Sequence, residues 1–323
     1  MYTIKRIFNP EIFQGKHKKN HYFEGWYFKL TDKTANNVIA VIPGVAISKN
    51  KEHAFIQFID AKTGFSRYFN YPLSDFYYSE NIFDIRIGNN TFSKYSIHLE
   101  IKADDFYLTG DVTFTNIISY PKSLGNPGIM GPFTFLPLME CRHGIVNINN
   151  ELRGSLDYSG SLIDFTGGYG YVEKDWGKSF PHSWIWLQSN NFSRKDTSFM
   201  FSVASIPWLH REFEGLISFL KLEDSFLRFA TYTGARIVDL KADKSKLSVS
   251  LKDSRHFLHI ECEYAEGGLL KAPKKGLMEV EITESITSKV SVQLTDKSGR
   301  LLFEDIGNNT GLELVGNYKK FII

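Results

Sequence analysis

The sequence predicts an all-β protein built from two antiparallel β-barrels that pack together. Apolar and polar residues alternate with period two, tight-turn residues separate the alternating stretches, and capped helical periodicity is scarce. Aromatic residues make up 15% of the 323 residues, and aromatic side chains favour pleated, half-buried surfaces. Many short strands joined by tight turns form a sandwich or a barrel, and closure into a barrel removes exposed strand edges.

Each alternating stretch predicts a half-buried antiparallel strand. In residues 96–101 the apolar side chains are Ile97, Leu99 and Ile101, with polar residues between them. The same pattern returns in 108–115, 258–262, 278–282 and 290–294. Turn residues predict the connections at Asn89-Asn90, Asn149-Asn150, Ser159-Gly160, Asn190-Asn191, Gly267-Gly268 and Asn308-Asn309.

A weak internal repeat divides the chain into two units. The segment 23–28, with Trp26, resembles 181–186, with Trp184, since each places a Trp early in an aromatic strand. We therefore predict an N-terminal barrel over residues 1–177 and a C-terminal barrel over residues 178–323. No Pro/Ser-rich linker marks the boundary, so the two units are expected to share a substantial interface.

The charge balance gives no indication of a nucleic-acid partner. The formal net charge is +2, which is too small to imply binding to nucleic acid on its own. The basic clusters at 16–19 and 271–275 lie beside turn-forming residues, which favours solvated loops. Peripheral contact with an anionic membrane surface is the less favoured alternative.

The cysteine pattern and the absence of targeting signals indicate a soluble cytoplasmic protein. Cys141 and Cys262 are far apart and lack metal-ligand spacing, so reduced thiols fit best, with a single disulfide as the alternative. Residues 1–20 lack the apolar stretch of a secretion signal, and no apolar run is long enough to span a bilayer.

Two histidine-containing segments give no convincing metal site. His17 and His21 are four residues apart, but the segment between them is basic and supplies no third ligand. Around Cys141, a strand would place Glu140 and Arg142 on one face and His143 on the other. A structural Glu140–Arg142 ion pair is therefore expected here, and we predict no metal.

The segment 167–188 combines residues that fold maintenance seldom needs together. It holds flexible glycines, the carboxylates Glu173 and Asp175, and three of the five tryptophans, Trp176, Trp184 and Trp186. From composition alone, the simpler interpretation is an irregular crossover between two barrels, pinned by Trp packing and a salt bridge. The chemical interpretation is an acid held against aromatic walls.

Asp175 is the central candidate for that acid. Burial among apolar rings disfavours a charged carboxylate and raises its pKa, so the group can stay protonated near neutral pH. Such an acid can protonate an alkene, and Trp and Tyr faces can stabilise the resulting cation. Pairing with Lys174 or Lys178 would lower the pKa and defeat this mechanism. Glu24 lies in a similar aromatic setting, where capping a barrel end is the alternative role.

These residues resemble the tocopherol cyclase family. The segment 22–29 is similar to the opening motif of that family, and the run from Gly168 through Asn190 is similar to its central signature. The segment 130–133, Pro137 and His143-Gly144 also fit, so the resemblance covers most of the chain.

The resemblance implies a lipocalin-like double β-barrel related to carotenoid 1,2-hydratases. It also implies an isomerase of the intramolecular lyase class that protonates a prenyl double bond of a prenylated quinol, after which the phenolic oxygen closes a chromanol ring. No metal or redox cofactor is implied. The candidate site residues that follow from it comprise the acids Asp175, Glu173 and Glu24 and the binding residues Trp26, Tyr169, Tyr171, Trp176, Trp184 and Trp186.

The exact substrate and reaction stay open. The chain lacks a plastid transit peptide and has a Lys-rich, Asn-rich, Pro-poor composition, which indicates a bacterial origin. A hydratase would make a similar cation and let water capture it. A lipocalin-like carrier would hold a hydrophobic prenyl lipid without any acid, and an interaction module would expose its aromatic side chains to a partner.

Overall fold

A computed structural model describes residues 2–208 and 211–322 and shows an all-β protein, as predicted. Its strands form a twelve-stranded and a ten-stranded antiparallel sheet. The first sheet contains β1 (Tyr22–Thr31), β2 (Val38–Ile47), β3 (His53–Asp60), β4 (Ser66–Pro72), β5 (Phe76–Tyr78), β6 (Asp84–Ile87), β7 (Asn90–Ser93), β8 (Ser96–Ala103), β9 (Phe106–Ser119), β10 (Cys141–Tyr158), β11 (Ser161–Asp164) and β12 (Tyr169–Gly177).

The second sheet contains β13 (Trp184–Ser189), β14 (Ser198–Trp208), β15 (Arg211–Leu222), β16 (Ser225–Ala230), β17 (Arg236–Ala242), β18 (Lys246–Lys252), β19 (His256–Glu263), β20 (Gly268–Lys274), β21 (Leu277–Asp296) and β22 (Leu301–Val315). Helical structure in the described residues is limited to α1 (Tyr2–Phe8) and the short 3₁₀ turns Leu73–Asp75, Gly131–Phe135, Thr231–Thr233 and Tyr318–Phe321. No helix in this part of the chain is long and apolar enough to cross a membrane.

The first sheet curls into a nearly closed barrel. Its strands follow the order β4-β3-β2-β1-β12-β10-β9-β8-β7-β6-β5, and the Asn90 amide near one end contacts the Tyr71 hydroxyl at the other, at 3.5 Å. A core of inward side chains fills this barrel, including Phe28, Phe92 and Phe114. The lipocalin-like architecture expected for this half of the chain is therefore present.

The second sheet encloses its own hydrophobic core. Its strands follow the order β16-β15-β14-β13-β22-β21-β19-β18-β17, with β20 paired to β21. The core includes Phe199, Phe201 and Phe229. All five alternating stretches lie in strands, which confirms the period-two argument for β8, β9, β19 and β21.

Two of the expected turns are wrong. Asn149-Asn150 lies inside β10 and Asn308-Asn309 inside β22, and the strand register shifts at both places. Asn309 has a positive φ of 49°, which asparagine tolerates better than most residues. These Asn pairs therefore mark β-bulges, which need the same backbone freedom as a turn.

The chain divides into one unit of Met1–Phe180 with Leu270–Glu281, and a second of Pro181–Leu269 with Ile282–Ile323. The predicted boundary at 177/178 assigned all later residues to the second barrel. Residues Leu270–Glu281 belong instead to the first unit, to which backbone hydrogen bonds connect them. The Phe180 N–H donates to the Pro273 carbonyl at 3.1 Å, and the Gly276 N–H donates to the Lys178 carbonyl at 2.8 Å.

The two basic clusters and the two cysteines can also be compared with the structure. The basic cluster at 271–275 was expected in a loop, but residues 271–274 belong to β20, so that expectation is wrong. The cluster at 16–19 is an exposed loop, as predicted. Cys141 and Cys262 are both free, as expected for reduced thiols.

Candidate active site

Strand β12 carries the central part of the candidate site and lies between β1 and β10. Because side chains alternate along a strand, Tyr169, Tyr171, Glu173 and Asp175 occupy one face. Val172 and Trp176, on the other face, belong to the hydrophobic core of the first barrel. The strand therefore presents acids on its outer face and apolar side chains to the barrel interior.

His143 joins the two acids into one cluster. It lies on β10 directly opposite Asp175, and its Nδ1 is 2.9 Å from the Asp175 Oδ1. Its Nε2 is 3.5 Å from the Glu173 Oε2, which also accepts a 2.6 Å hydrogen bond from the Tyr171 hydroxyl. Tyr171, Glu173, His143 and Asp175 thus form a continuous polar chain, named here the acid cluster.

The imidazole holds the proton of the acid cluster. Burial alone would lower the pKa of His143, but the negative charges of Asp175 and Glu173 and the hydrogen bond that His143 donates to Asp175 outweigh it and raise the pKa to about 9. His143 is therefore an imidazolium at neutral pH. This differs from the expectation of a proton held on an isolated Asp175, because the sequence did not reveal the imidazole beside it.

Access to the acid cluster is unequal. The Asp175 side chain is 24% exposed, whereas the His143 and Glu173 side chains are 14% and 7% exposed. Asp175 is thus the carboxylate that a ligand can reach most easily. Tyr169, at 37% exposure, lies on the same face near the start of β12, and Tyr171 is fully buried.

Lys174 points into the barrel interior and does not contact Asp175. Its ammonium forms an ion pair with Glu24 and donates to the carbonyls of Pro10 and Ile12, both at 2.7 Å. Both members of the ion pair are fully buried. Burial lowers the pKa of Lys174 to about 8, although the Glu24 carboxylate partly offsets that effect.

Glu24 is fully committed to this interior network. Its two oxygens accept hydrogen bonds from the Gln14 backbone N–H at 2.8 and 2.9 Å, and one of them also accepts the Tyr22 hydroxyl. The structure places Glu24 opposite Trp176 in the sheet register, on the other face of the sheet from Asp175. Glu24 is therefore not brought to the acid cluster.

The N-terminal segment 10–14 packs against the two strands that carry the acid cluster, β10 and β12. It supplies the two carbonyls that bind Lys174, the neighbour of Asp175 in sequence. A Cβ at Gly144, the neighbour of His143, would lie only 2.9 Å from the Cβ of Pro10. Glycine at this position lets the segment pack directly against β10.

Trp26 and Trp176 also lie on the interior face. The Lys174 ammonium sits 4.5 Å from the Trp26 ring centre and 5.1 Å from that of Trp176. The Trp26 indole N–H donates to the Glu11 carbonyl at 2.8 Å. Both rings therefore already stabilise a cation, the buried ammonium, through their π faces.

Trp184 and Trp186 belong to the second unit. Both lie on β13, on the face opposite to Ile185 and Leu187, which enter the core of that unit. The Trp184 indole N–H donates to the Glu313 carboxylate on β22. Trp186 packs over Gly311, where a Cβ would lie 2.5 Å from its ring.

The expected Glu140–Arg142 ion pair is wrong. The Arg142 guanidinium donates to the carbonyls of Thr134 and Leu136, at 2.7 and 2.6 Å. Glu140 pairs instead with Lys178 at 2.9 Å. Arg142 therefore anchors the loop that precedes β10, and neither Lys174 nor Lys178 binds Asp175.

The acid cluster has a spacing that could also hold a metal ion. His143, Glu173 and Asp175 each offer one ligand atom, and these atoms lie within 4.8 Å of one another. A metal would require neutral imidazole, so the raised pKa of His143 makes protons compete with it. This set could not be recognised from the sequence, because His143 lies 32 residues from Asp175 along the chain.

Comparisons with known proteins agree with this architecture. The family model described as tocopherol cyclase-like matches residues 109–316. The chloroplastic tocopherol cyclase of Zea mays is 26% identical over 210 residues, which cover 60% of this chain and 43% of that protein. The chain thus spans less than half the length of this curated relative.

Two solved structures share the fold. The crystal structure of CghA with Sch210972 aligns with a TM-score of 0.55 at 9% identity, over 91% of this chain and 89% of that one. Kievitone hydratase from Nectria haematococca aligns with a TM-score of 0.50 at 13% identity, over 94% of both chains. Because the family model covers well over half of the sequence, the chain belongs to the tocopherol cyclase-like family.

Proposed function

We propose that this protein is an enzyme that protonates a prenyl double bond of a prenylated quinol or a related terpenoid lipid, with ring closure to a chromanol. The observation that carries the proposal is the acid cluster, where an imidazolium is held between two carboxylates and one of them is partly exposed. Membership of the family supports the enzyme class, and the proposed substrate follows from the similarity to tocopherol cyclases.

The proposed step begins at Asp175. Its carboxylate takes the imidazolium proton from His143 Nδ1, 2.9 Å away, and passes it to one alkene carbon. The phenolic oxygen of the substrate bonds to the cationic carbon, and the phenolic proton returns to the acid cluster. The reaction therefore consumes no external acid and leaves the cluster in its starting state.

Supporting roles follow from the contacts. Glu173 and Tyr171 position His143, since the Tyr171 hydroxyl fixes the carboxylate that faces the Nε2 atom. We assign Tyr169 to the substrate-facing side because it shares the face of Asp175 and is exposed, whereas Tyr171 on the same face is buried. Glu24 and Trp26, which hold the Lys174 ammonium on the opposite face, are assigned to support of β12.

The roles of the remaining tryptophans are assigned from the groups that surround each of them. Trp176 lies over the same ammonium as Trp26 and is also assigned to support. Trp184 and Trp186 lie on β13 of the second unit, so no role at the acid cluster is assigned to them. The proposed ligand is a hydrophobic prenyl lipid.

The test uses the Asp175→Asn variant and a prenylated hydroquinone. Removal of the proton donor should reduce turnover by at least about a hundredfold, while binding of the lipid and the fold persist. Mass spectrometry separates the outcomes, because a chromanol has the mass of the substrate and a hydration product is one water heavier.

Asp111→Asn is the matched control. Asp111 accepts a 2.9 Å hydrogen bond from His98, as Asp175 does from His143, but both partners are exposed. This variant should keep full turnover. Equal turnover in Asp175→Asn and the wild type would remove Asp175 from the mechanism, and binding without turnover in the wild type would identify a carrier.

A further inference from the structure

A cavity in the first unit is lined by none of the acid-cluster residues. Its volume is about 520 Å³, and strands β3 and β4 and the segment Leu270–Glu281 line it. Its polar lining includes His53, Tyr68, Asn70 and Lys271, and Met278 contributes an apolar wall. Cavities of this size with a few converging polar groups are typical of small-molecule sites.

Lys271 is held in place by a buried clamp. The Gln57 side chain, 4% exposed, accepts a hydrogen bond from the Lys271 backbone N–H at 2.8 Å and donates to the Lys271 carbonyl at 3.0 Å. The ammonium then lies 4.7 Å from the centre of the Tyr68 ring. The Lys271 backbone is therefore fixed, and its exposed side chain places the ammonium over Tyr68, beside the cavity.

The Tyr68 hydroxyl is also oriented before any ligand binds. The His53 Nδ1 is 3.0 Å from the Lys51 carbonyl, an acceptor, so Nδ1 carries the hydrogen. The Nε2 atom, 2.6 Å from the Tyr68 oxygen, is then the acceptor of the phenolic hydrogen. Burial raises the pKa of Tyr68 and keeps that hydrogen in place, so the oxygen offers its lone pairs to a hydrogen-bond donor.

The charged groups of the cavity lining balance, and the position of Lys271 among them favours an anionic ligand. Lys51 and Glu279 form a 3.0 Å ion pair at the edge, which leaves Lys271 and the exposed Glu52 as the other charged groups of the lining. The Lys271 ammonium covers the aromatic face of Tyr68, so a cationic ligand would meet like charge there. An anion would complete an ion pair with a lysine that is already oriented.

We propose that this cavity is a binding site for a small organic carboxylate that also carries a hydroxyl group. The carboxylate would bind Lys271, the hydroxyl would donate to Tyr68, and the apolar body would pack against Leu277 and Met278. A hydroxylated aromatic acid combines these three features. The site is separate from the proposed cyclase chemistry and does not depend on it.

Saturation-transfer NMR with 4-hydroxybenzoate as the probe tests this proposal on the full chain. We expect binding at millimolar probe concentration, and a loss of about tenfold in affinity for Lys271→Met, because a charged hydrogen-bond partner is removed. Benzoate and phenol, which lack the hydroxyl and the carboxylate respectively, should both bind more weakly than the probe.

Lys274→Met is the matched control. Lys274 is an exposed lysine on the same strand, three residues further along and outside the cavity lining. It should leave the affinity unchanged. Absence of binding by the wild type, equal binding by Lys271→Met, or an equal loss in Lys274→Met would each overturn the proposal.

Discussion

Replacement of His143 by glutamine should change how the stability of the protein depends on pH. The pKa of His143 is raised from 6.5 to about 9 in the folded protein, so the folded state binds this proton more tightly than the unfolded chain. At 1.36 kcal/mol per pKa unit, the difference corresponds to about 3 kcal/mol. This stability is fully present below pH 6.5 and is lost as the pH rises to 9.

Urea denaturation at pH 6 and pH 9 measures the effect. Relative to the wild type, His143→Gln should be less stable by about 3 kcal/mol at pH 6, and the difference should shrink towards zero at pH 9. NMR titration of the His143 ring in the wild type checks the same pKa directly. The contributions of groups that titrate in both proteins cancel when the two free energies of unfolding are subtracted.

His98→Gln is the matched control. Its Nδ1 lies 2.9 Å from an Asp111 carboxylate oxygen, as that of His143 does from Asp175, but its side chain is 42% exposed. Exposed ion pairs contribute little, so this variant should change stability by less than about 1 kcal/mol at either pH. A His143→Gln protein with the pH dependence of the wild type would refute the assignment of the proton to His143.

Two further variants probe the packing of the first and of the second unit, both by urea denaturation. Lys174→Met should destabilise the protein by about 3–5 kcal/mol, since it leaves the buried Glu24 carboxylate uncompensated. Its control, Lys178→Met, removes an exposed ion pair and should change stability by less than about 1 kcal/mol. Similar losses in the two variants would contradict the burial argument. Gly311→Ala places a Cβ 2.5 Å from the Trp186 ring, so it should destabilise the protein by about 1–3 kcal/mol and shift the tryptophan fluorescence. Its control is Gly125→Ala, where a Cβ would meet open space. An effect of Gly311→Ala no larger than that of the control would argue against this contact.

Alternation along the sequence predicted the strands well because each pattern is local. Residues 96–101 and 258–262 alternate strictly, and both form strands whose apolar side chains are buried. The prediction of a turn at Asn149-Asn150 was wrong, because an asparagine pair suits a β-bulge as well as a turn. Whether that place becomes a turn or a bulge depends on the partner strand.

The acid cluster could be predicted only in part. Glu173 and Asp175 stood out because they lie in a short aromatic block, and their shared face follows from alternation alone. The pairing of Asp175 with His143, and of Lys174 with Glu24, depends on which strands lie beside β12. Strand order is a property of the whole sheet, so a single sequence gives no local signal for it.

Strand β12 carries the acid cluster on one face and the buried Lys174 ion pair on the other, in alternate positions. This alternation limits which insertions and deletions the strand can accept. Insertion of one residue between Glu173 and Lys174 would turn the ammonium towards the face of His143 and send Asp175 into the apolar interior. Length variation should therefore be tolerated in the loops around β12 but not within it. Homologues that retain the chemistry are expected to keep this spacing even where the flanking aromatic residues diverge.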